Sequence, residues 1–143
     1  MSDQIKVKRI AIEDVYPIRH LVLRKGKPFE SCKFDNDLID STVHYGVFQN
    51  NKLCGVATIL KNKHPEISEE EQHQLRGMAV LEAYQGKNLG SYLIKHIQKI
   101  YINSVIWCNA REKAVPFYKK NQFKIISTPF HIPKIGLHYV MHT

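Results

Sequence analysis

No run of this chain approaches the roughly 18 apolar residues that a membrane-spanning helix requires. The opening MSDQIKVKRI also lacks the apolar core of a secretion signal. No membrane partner is expected, and the chain is read as soluble, unprocessed and cytoplasmic. Cysteine is scarce: Cys32, Cys54 and Cys108 are an odd number with no C-x-x-C spacing. That argues against a disulfide framework and against a zinc site, and it suits a reducing compartment. No metal is expected. Internal repeats and low-complexity tracts are missing as well. At 143 residues the chain is long enough to bury about two-thirds of its unfolded surface without a covalent staple, so residues 1–143 are read as a single domain.

Acidic residues are also under-represented. Against 21 Lys and Arg stand 13 Asp and Glu, a formal charge of +8. Such a balance favours encounter with anions but says nothing about fold. The basic groups are dispersed, with only short clusters in KVKR (6–9) and KNKH (61–64), and no aromatics interleave with them. A stacking platform for single-stranded nucleic acid is absent, and no nucleic-acid partner is expected.

What is present is a regular alternation of element types. IKVKRI alternates with period two and predicts a first strand. Ile12, Val15, Ile18, Leu21 and Val22 then recur at helical spacing, with Glu13 and Asp14 in the opening turn. Residues 25–41 carry turn formers with little periodicity, a long loop or a short helix. TVHYGVFQNNKLCGVATIL holds two β-rich runs separated by Gln49–Lys52, the pattern of an antiparallel hairpin whose second arm covers 53–60.

After the polar loop KNKHPEISEEEQ, HQLRGMAVL reads as a fourth strand, and Leu89, Leu93, Ile94, Ile97, Ile100 and Tyr101 mark one face of a helix. SVIWCNA is a short buried strand, and REKAVPFYKKNQF is a helix ending at Asn121 in which Pro116 forces a kink or a late start. A last strand begins at about Leu137. The order β-α-loop-β-β-β-α-β-α-β points to an α/β (α+β) fold.

The junction YQGKNLGSYLIKHI sets Gly86 and Gly90 between a strand and an amphipathic helix. Unpaired backbone N–H groups and the positive end of a helix meet there, a site suited to a phosphate. The glycines serve equally well as steric relief in a tight turn, and the motif by itself leaves both readings open.

QGKNLG after the strand LRGMAV resembles the Gln/Arg-x-x-Gly-x-Gly/Ala signature of the GCN5-related N-acetyltransferases (GNAT), with Gln85 first, Gly90 last and Asn88 at the central glycine. WCNAREKAVPFYKKNQF is similar to the family's later motif, with Asn109 at the strand end, Ala114, Phe117 and Tyr118 on the helix, and Phe123 after the turn. The closing IPKIGLHYVM looks like a small bacterial subgroup of the family, whereas residues 25–45 match none of its patterns.

The resemblance implies a mixed, mainly antiparallel sheet of six to seven strands flanked by helices. It implies an acyltransferase that moves acetyl from acetyl-CoA to a primary amine of a small molecule or peptide and releases CoA; a homodimer is compatible with it. It places the pyrophosphate on Gln85, Gly86, Lys87, Asn88, Leu89, Gly90 and Ser91, and the pantetheine arm along Met78, Ala79 and Val80. Asn109 either orients that arm or caps the next helix. Tyr118 either protonates the departing thiolate or packs as a core aromatic. Lys87 either adds charge near the phosphates or is a solvated turn residue.

Glu71, Glu82, His73, His44 and His138 are open as bases, along with a water chain, and none is chosen. His138 and His142 are read as surface residues of a frayed terminal strand. Cys108 is expected to be buried and inert, which favours direct attack in a ternary complex. A non-catalytic CoA-sensing or partner-binding domain is the alternative.

Overall fold

The structure, a computed structural model, describes residues 3–143. Strand β1 (Ile5–Arg9) leads into helix α1 (Ile12–Leu23) and a 3-10 turn at Phe29–Cys32. Strands β2 (Val43–Gln49), β3 (Lys52–Lys61) and β4 (Gln72–Val80) follow, then helix α2 (Leu89–Ile100), strand β5 (Val105–Arg111) and helix α3 (Val115–Lys120). Two short strands, β6 (Lys124–Ile125) and β7 (Phe130–Ile132), precede β8 (Gly136–His142). The eight strands form one sheet in the order β1-β2-β3-β4-β5-β8-β6, with β7 paired to β8. Every pairing is antiparallel except that of β4 with β5. The α/β expectation holds, with two more strands than the element order read from sequence.

The β2–β3 hairpin closes on Asn50 and Asn51, both at positive φ (50° and 70°), with Gln49 still paired to Lys52. Asparagine is the residue that tolerates this two-residue turn best after glycine. α1 lays Val15 and Ile18 on Val56 and Ala79 of one sheet face. α2 lays Leu89, Leu93, Ile94 and Ile97 on the other, against Tyr45, Val47 and Ile59. Leu21 and Ile100, expected on those apolar faces, are about half exposed (56% and 49%) because each lies at the rim of its stripe. Pro116 resolves as a late helix start: residues 112–114 form a 3-10 turn and α3 begins at Val115, so the missing N–H falls in the first turn, where it costs nothing.

Two features of β4 position everything that follows. Its parallel ladder with β5 runs only from Gln72 to Gln74, after which the strands part while β5 continues along β8 to Arg111. Opposite β3, Thr58 pairs with Arg76 and Val56 with Ala79, so β4 carries one extra residue, a bulge. Gly77 in that bulge has φ +59°, and a Cβ there would lie 2.8 Å from Arg19 Nε.

Arg19 is fully buried on α1, where a guanidinium survives only if paired. It donates to both Asp37 carboxylate oxygens (2.7 and 3.2 Å), to the Cys32 carbonyl (2.8 Å) and to Thr58 Oγ1 (2.8 Å). Thr58 Oγ1 lies 2.7 Å from His44 Nδ1, and His44 Nε2 lies 3.0 Å from the Asp37 carbonyl. That carbonyl can only accept, so Nε2 carries the ring proton and Nδ1 accepts the threonine hydroxyl. The loop reading of residues 25–41 thus becomes a segment pinned to the sheet by a closed ring of hydrogen bonds.

That ring requires a neutral His44, and burial lowers its pKa, as burial also lowers that of His73. Below the ordinary imidazole value of about 6.5, the unfolded chain therefore binds protons that the fold refuses. Stability is full above that pH and is lost as pH falls through the folded values, at up to about 1.4 kcal/mol per pH unit for each group. Urea titrations from about pH 7 to about pH 5 should show the decline. His44→Gln should start lower and decline less steeply; equal slopes would remove His44 from the effect.

Candidate functional site

The signature turn lies where β4 hands over to α2. Asn88 is the residue before the helix, in the left-handed conformation (φ 64°, ψ 14°), and its side chain caps nothing. The helical ladder begins with the Tyr92 amide donating to the Asn88 carbonyl (3.1 Å), so the amides of Leu89, Gly90 and Ser91 have no partner in it. A pocket of about 240 Å³ opens over them, bordered also by Tyr84, Phe117 and Lys120. Gly86, at φ +79°, has open space around it. An uncapped helix start beneath a pocket is a cradle-like arrangement suited to an anion.

The residues expected at that cradle divide by what holds them. A Cβ on Gly90 would lie 3.1 Å from the Phe117 ring and 3.3 Å from Met78 Cε, so this glycine lets α3 and β4 close on α2. Ser91 is buried, and its hydroxyl accepts from Asn121 Nδ2 (3.2 Å). Gln85 Nε2 donates to the Val80 carbonyl (2.9 Å), binding the turn to the end of β4. Lys87 Nζ sits over the Tyr84 ring at 5.5 Å, with Lys52 Nζ over the same ring at 5.3 Å.

Where β4 and β5 part, a second cavity of about 310 Å³ lies between them. Met78, Asn109 and Tyr118 border it, while Ala79 turns its side chain into the α1 core. Asn109 is exposed at the strand end, and the 3-10 turn after it has no side-chain cap. The capping alternative for Asn109 therefore falls. Tyr118 packs edge-on against Phe117 and Phe123, with centroids 5.2 Å away in each case, and still borders the cavity. Burial first, then Cys108, raises its pKa well above the ordinary phenol value, while Arg111 pulls the other way. The hydroxyl keeps its proton at neutral pH.

His138 corrects the surface reading: it is 3% exposed and lines this cavity. Its Nδ1 lies 2.8 Å from the Gly136 carbonyl, which can only accept. Nδ1 therefore donates to it, and Nε2 has no protein partner among the described residues. His142 is half-buried at the chain end, and no group of three His, Cys, Asp or Glu suited to a metal occurs among the described residues. His44 and His73 are committed to Thr58 and Ser104. Cys108 is 2% exposed, and burial pushes its thiol pKa far up.

The signature residues thus lie at a helix start with free amides, and the cleft between the parting strands β4 and β5 lies beside it. The sequence profile of the Acetyltransferase (GNAT) family matches residues 11–123. This chain belongs to the GNAT family. Like the family, it is an acyl-CoA-dependent acetyltransferase. It is 39% identical over 141 residues to the uncharacterized N-acetyltransferase YitI of Bacillus subtilis strain 168, an alignment covering 96% of this chain and 95% of that protein.

Among solved structures, Escherichia coli ElaA superposes with a TM-score of 0.74 at 16% identity over 99% of both chains. An aminoglycoside 6'-N-acetyltransferase complexed with coenzyme A gives 0.74 at 11% identity over 96% of both. These two likenesses show the GNAT fold. No helix among the described residues is long and apolar enough to cross a membrane.

The Gly90 contacts supply a test of the cradle. Gly90→Val pushes Phe117 and Met78 away from the turn, and CoA affinity measured by calorimetry should fall about tenfold or more, about 1.4 kcal/mol. Circular dichroism checks that the fold survives. Unchanged affinity in a folded variant would move the binding site elsewhere.

Proposed function

We propose that this protein transfers the acetyl group of acetyl-CoA to a primary amine of a small molecule or peptide, by direct attack in a ternary complex. One observation carries the reading: the cradle at Gly86–Ser91 and the cleft holding Tyr118 and His138 lie along the same free edge of β4, joined at Met78 and Phe117. Acetyl-CoA, when bound, supplies the activated thioester. The amides of Gly86 to Ser91 would hold its pyrophosphate, the Gln85 amide being engaged by the Glu82 carbonyl, with Lys87 and Lys120 adding charge. The unpaired edge at Met78–Val80 would take the pantetheine arm as an added strand. The Val80 carbonyl is already engaged by Gln85, which leaves Met78 as the more open position.

The amine arrives from the far side of the cleft. It must shed a proton as the amide bond forms, and His138 Nε2 is the basic lone pair in that cavity. The thiolate that departs takes a proton from the Tyr118 hydroxyl or from solvent, and the two side chains recover their starting states by exchange with water. A Cys108 relay is disfavoured, because a thiol held protonated by burial is a poor nucleophile.

Tyr118→Phe keeps the packing and removes the donor. With a phenol proton held this tightly, and a CoA thiol that leaves readily unaided, kcat should fall about tenfold to a hundredfold with acetyl-CoA affinity unchanged. Thiol release across a broad amine panel identifies the acceptor for that assay. Turnover at the wild-type rate would leave Tyr118 a packing residue.

His138→Gln, which keeps a polar side chain of similar reach, should lower kcat/KM about a hundredfold. A folded variant that keeps the wild-type kcat/KM would assign the base to another group.

A further inference from the structure

The wall of the cleft opposite the cradle is built from cations. Arg24 at the end of α1, Arg76 on β4 and Arg111 at the end of β5 all line the 310 Å³ cavity. Each is anchored by one backbone carbonyl: Arg24 by Leu23 (3.0 Å), Arg76 by Asp35 (3.1 Å) and Arg111 by Leu23 (3.4 Å). Phe34 stands between two of them, 5.1 Å from the Arg24 guanidinium and 5.0 Å from that of Arg76. Among the described residues none of the three is ion-paired to a carboxylate; Asp37, whose charge reaches Arg76 together with that of Asp35, is paired with Arg19.

A guanidinium has five N–H donors, and one carbonyl engages at most two, so each arginine keeps a free fork. Like charges held together and half-buried repel one another. Burial, then Arg111, Arg19 and Arg76, lowers the Arg24 pKa. Three anchored cations with no carboxylate paired to them are an unfavourable arrangement for an empty protein and a favourable one for a bound oxyanion. They do not serve the pyrophosphate, whose cradle lies at the other end of the β4 edge.

We infer that the amine acceptor is a small molecule or chain end that also carries an oxyanion, a carboxylate or a phosphate, held by Arg24, Arg76 and Arg111 while its amine faces His138 and Tyr118. The inference rests on the acetyltransferase reading above and names its substrate class. A polycation is excluded from this cleft by the same charges. The planar fork of arginine suits either oxyanion, and a volume near 310 Å³ suits a compact ligand.

The test sets α-amino acids and short acidic peptides against their carboxamides, phosphoethanolamine against ethanolamine, and spermidine against all of them. Thiol release is read on the wild-type enzyme, and binding is read by calorimetry on the CoA-loaded protein. The anionic member of at least one pair should be preferred tenfold or more, the responding pair deciding between carboxylate and phosphate. Arg24→Gln and Arg111→Gln should each erase that preference while CoA affinity is kept. Arg111→Lys, which keeps the charge and loses the fork, should fall between.

Equal use of the neutral members, preference for spermidine, or binding of no anionic member would overturn the proposal, as would glutamine variants that keep the selectivity. Absence of CoA binding would instead sink the acetyltransferase reading. Calorimetry with the same anions on the CoA-free protein then tests the arginines alone: binding that Arg24→Gln and Arg111→Gln abolish keeps them as an anion site, and no binding overturns the inference.

Discussion

The central cleft of this fold follows from a parallel pairing that stops early. β4 and β5 share three residue pairs, Gln72–Gln74 with Val105–Trp107, and then part. A strand edge left unpaired in the middle of a sheet is normally a liability, because its N–H and C=O groups need partners. Here it opens the cleft between β4 and β5. The parting is stabilised from both sides. β5 is held by β8 through Arg111, and β4 is bent by the bulge at Gly77.

The bulge in turn depends on Arg19. With Gly77 at φ +59°, any Cβ would strike the guanidinium, so the close approach of α1 to β4 and the glycine require each other. Arg19 Nε is buried without a partner, a local cost that its four hydrogen bonds to Asp37, Cys32 and Thr58 offset. Those bonds fix residues 29–42 over the sheet and hold Phe34 against Arg19 at 4.1 Å. The aromatic ring that separates the cleft arginines is thus set by a network that never touches the cleft. Removing one partner of such a network exposes the remaining charge to an apolar interior, the costliest kind of loss.

Much of this was legible in the chain and some was not, for identifiable reasons. The strands, the Asn50–Asn51 turn and the face of α2 obey periods that local sequence carries, and QGKNLG marks its own turn. Arg19 follows Ile18 on a helix and looks like a solvated neighbour; its burial is decided by Asp37 and Thr58, 18 and 39 residues away. Gly77 sits inside a run that reads as plain strand, since a bulge is a mismatch with the partner and leaves no trace in its own period. His138 was misplaced because a strand at a chain end is normally frayed, whereas β8 runs between β5 and β6 in the sheet. The two-residue strand β6 and three-residue strand β7 are too short to show any period.

The cleft also couples its parts electrostatically. Arg111 is the one neighbouring charge that favours ionisation of Tyr118, and burial opposes it. An oxyanion resting on Arg111 would cancel that pull, so the phenol would hold its proton more firmly once the acceptor is in place. A firmer proton is a weaker acid, so Tyr118 would act chiefly by donating a hydrogen bond to charge as it develops on sulfur, and complete transfer would fall to solvent. The phenol keeps its proton at neutral pH with or without an acceptor, because burial outweighs the pull of Arg111. Charge that would recognise the acceptor at one end of the cleft would thereby make the phenol a weaker acid at the other, without deciding whether it is protonated.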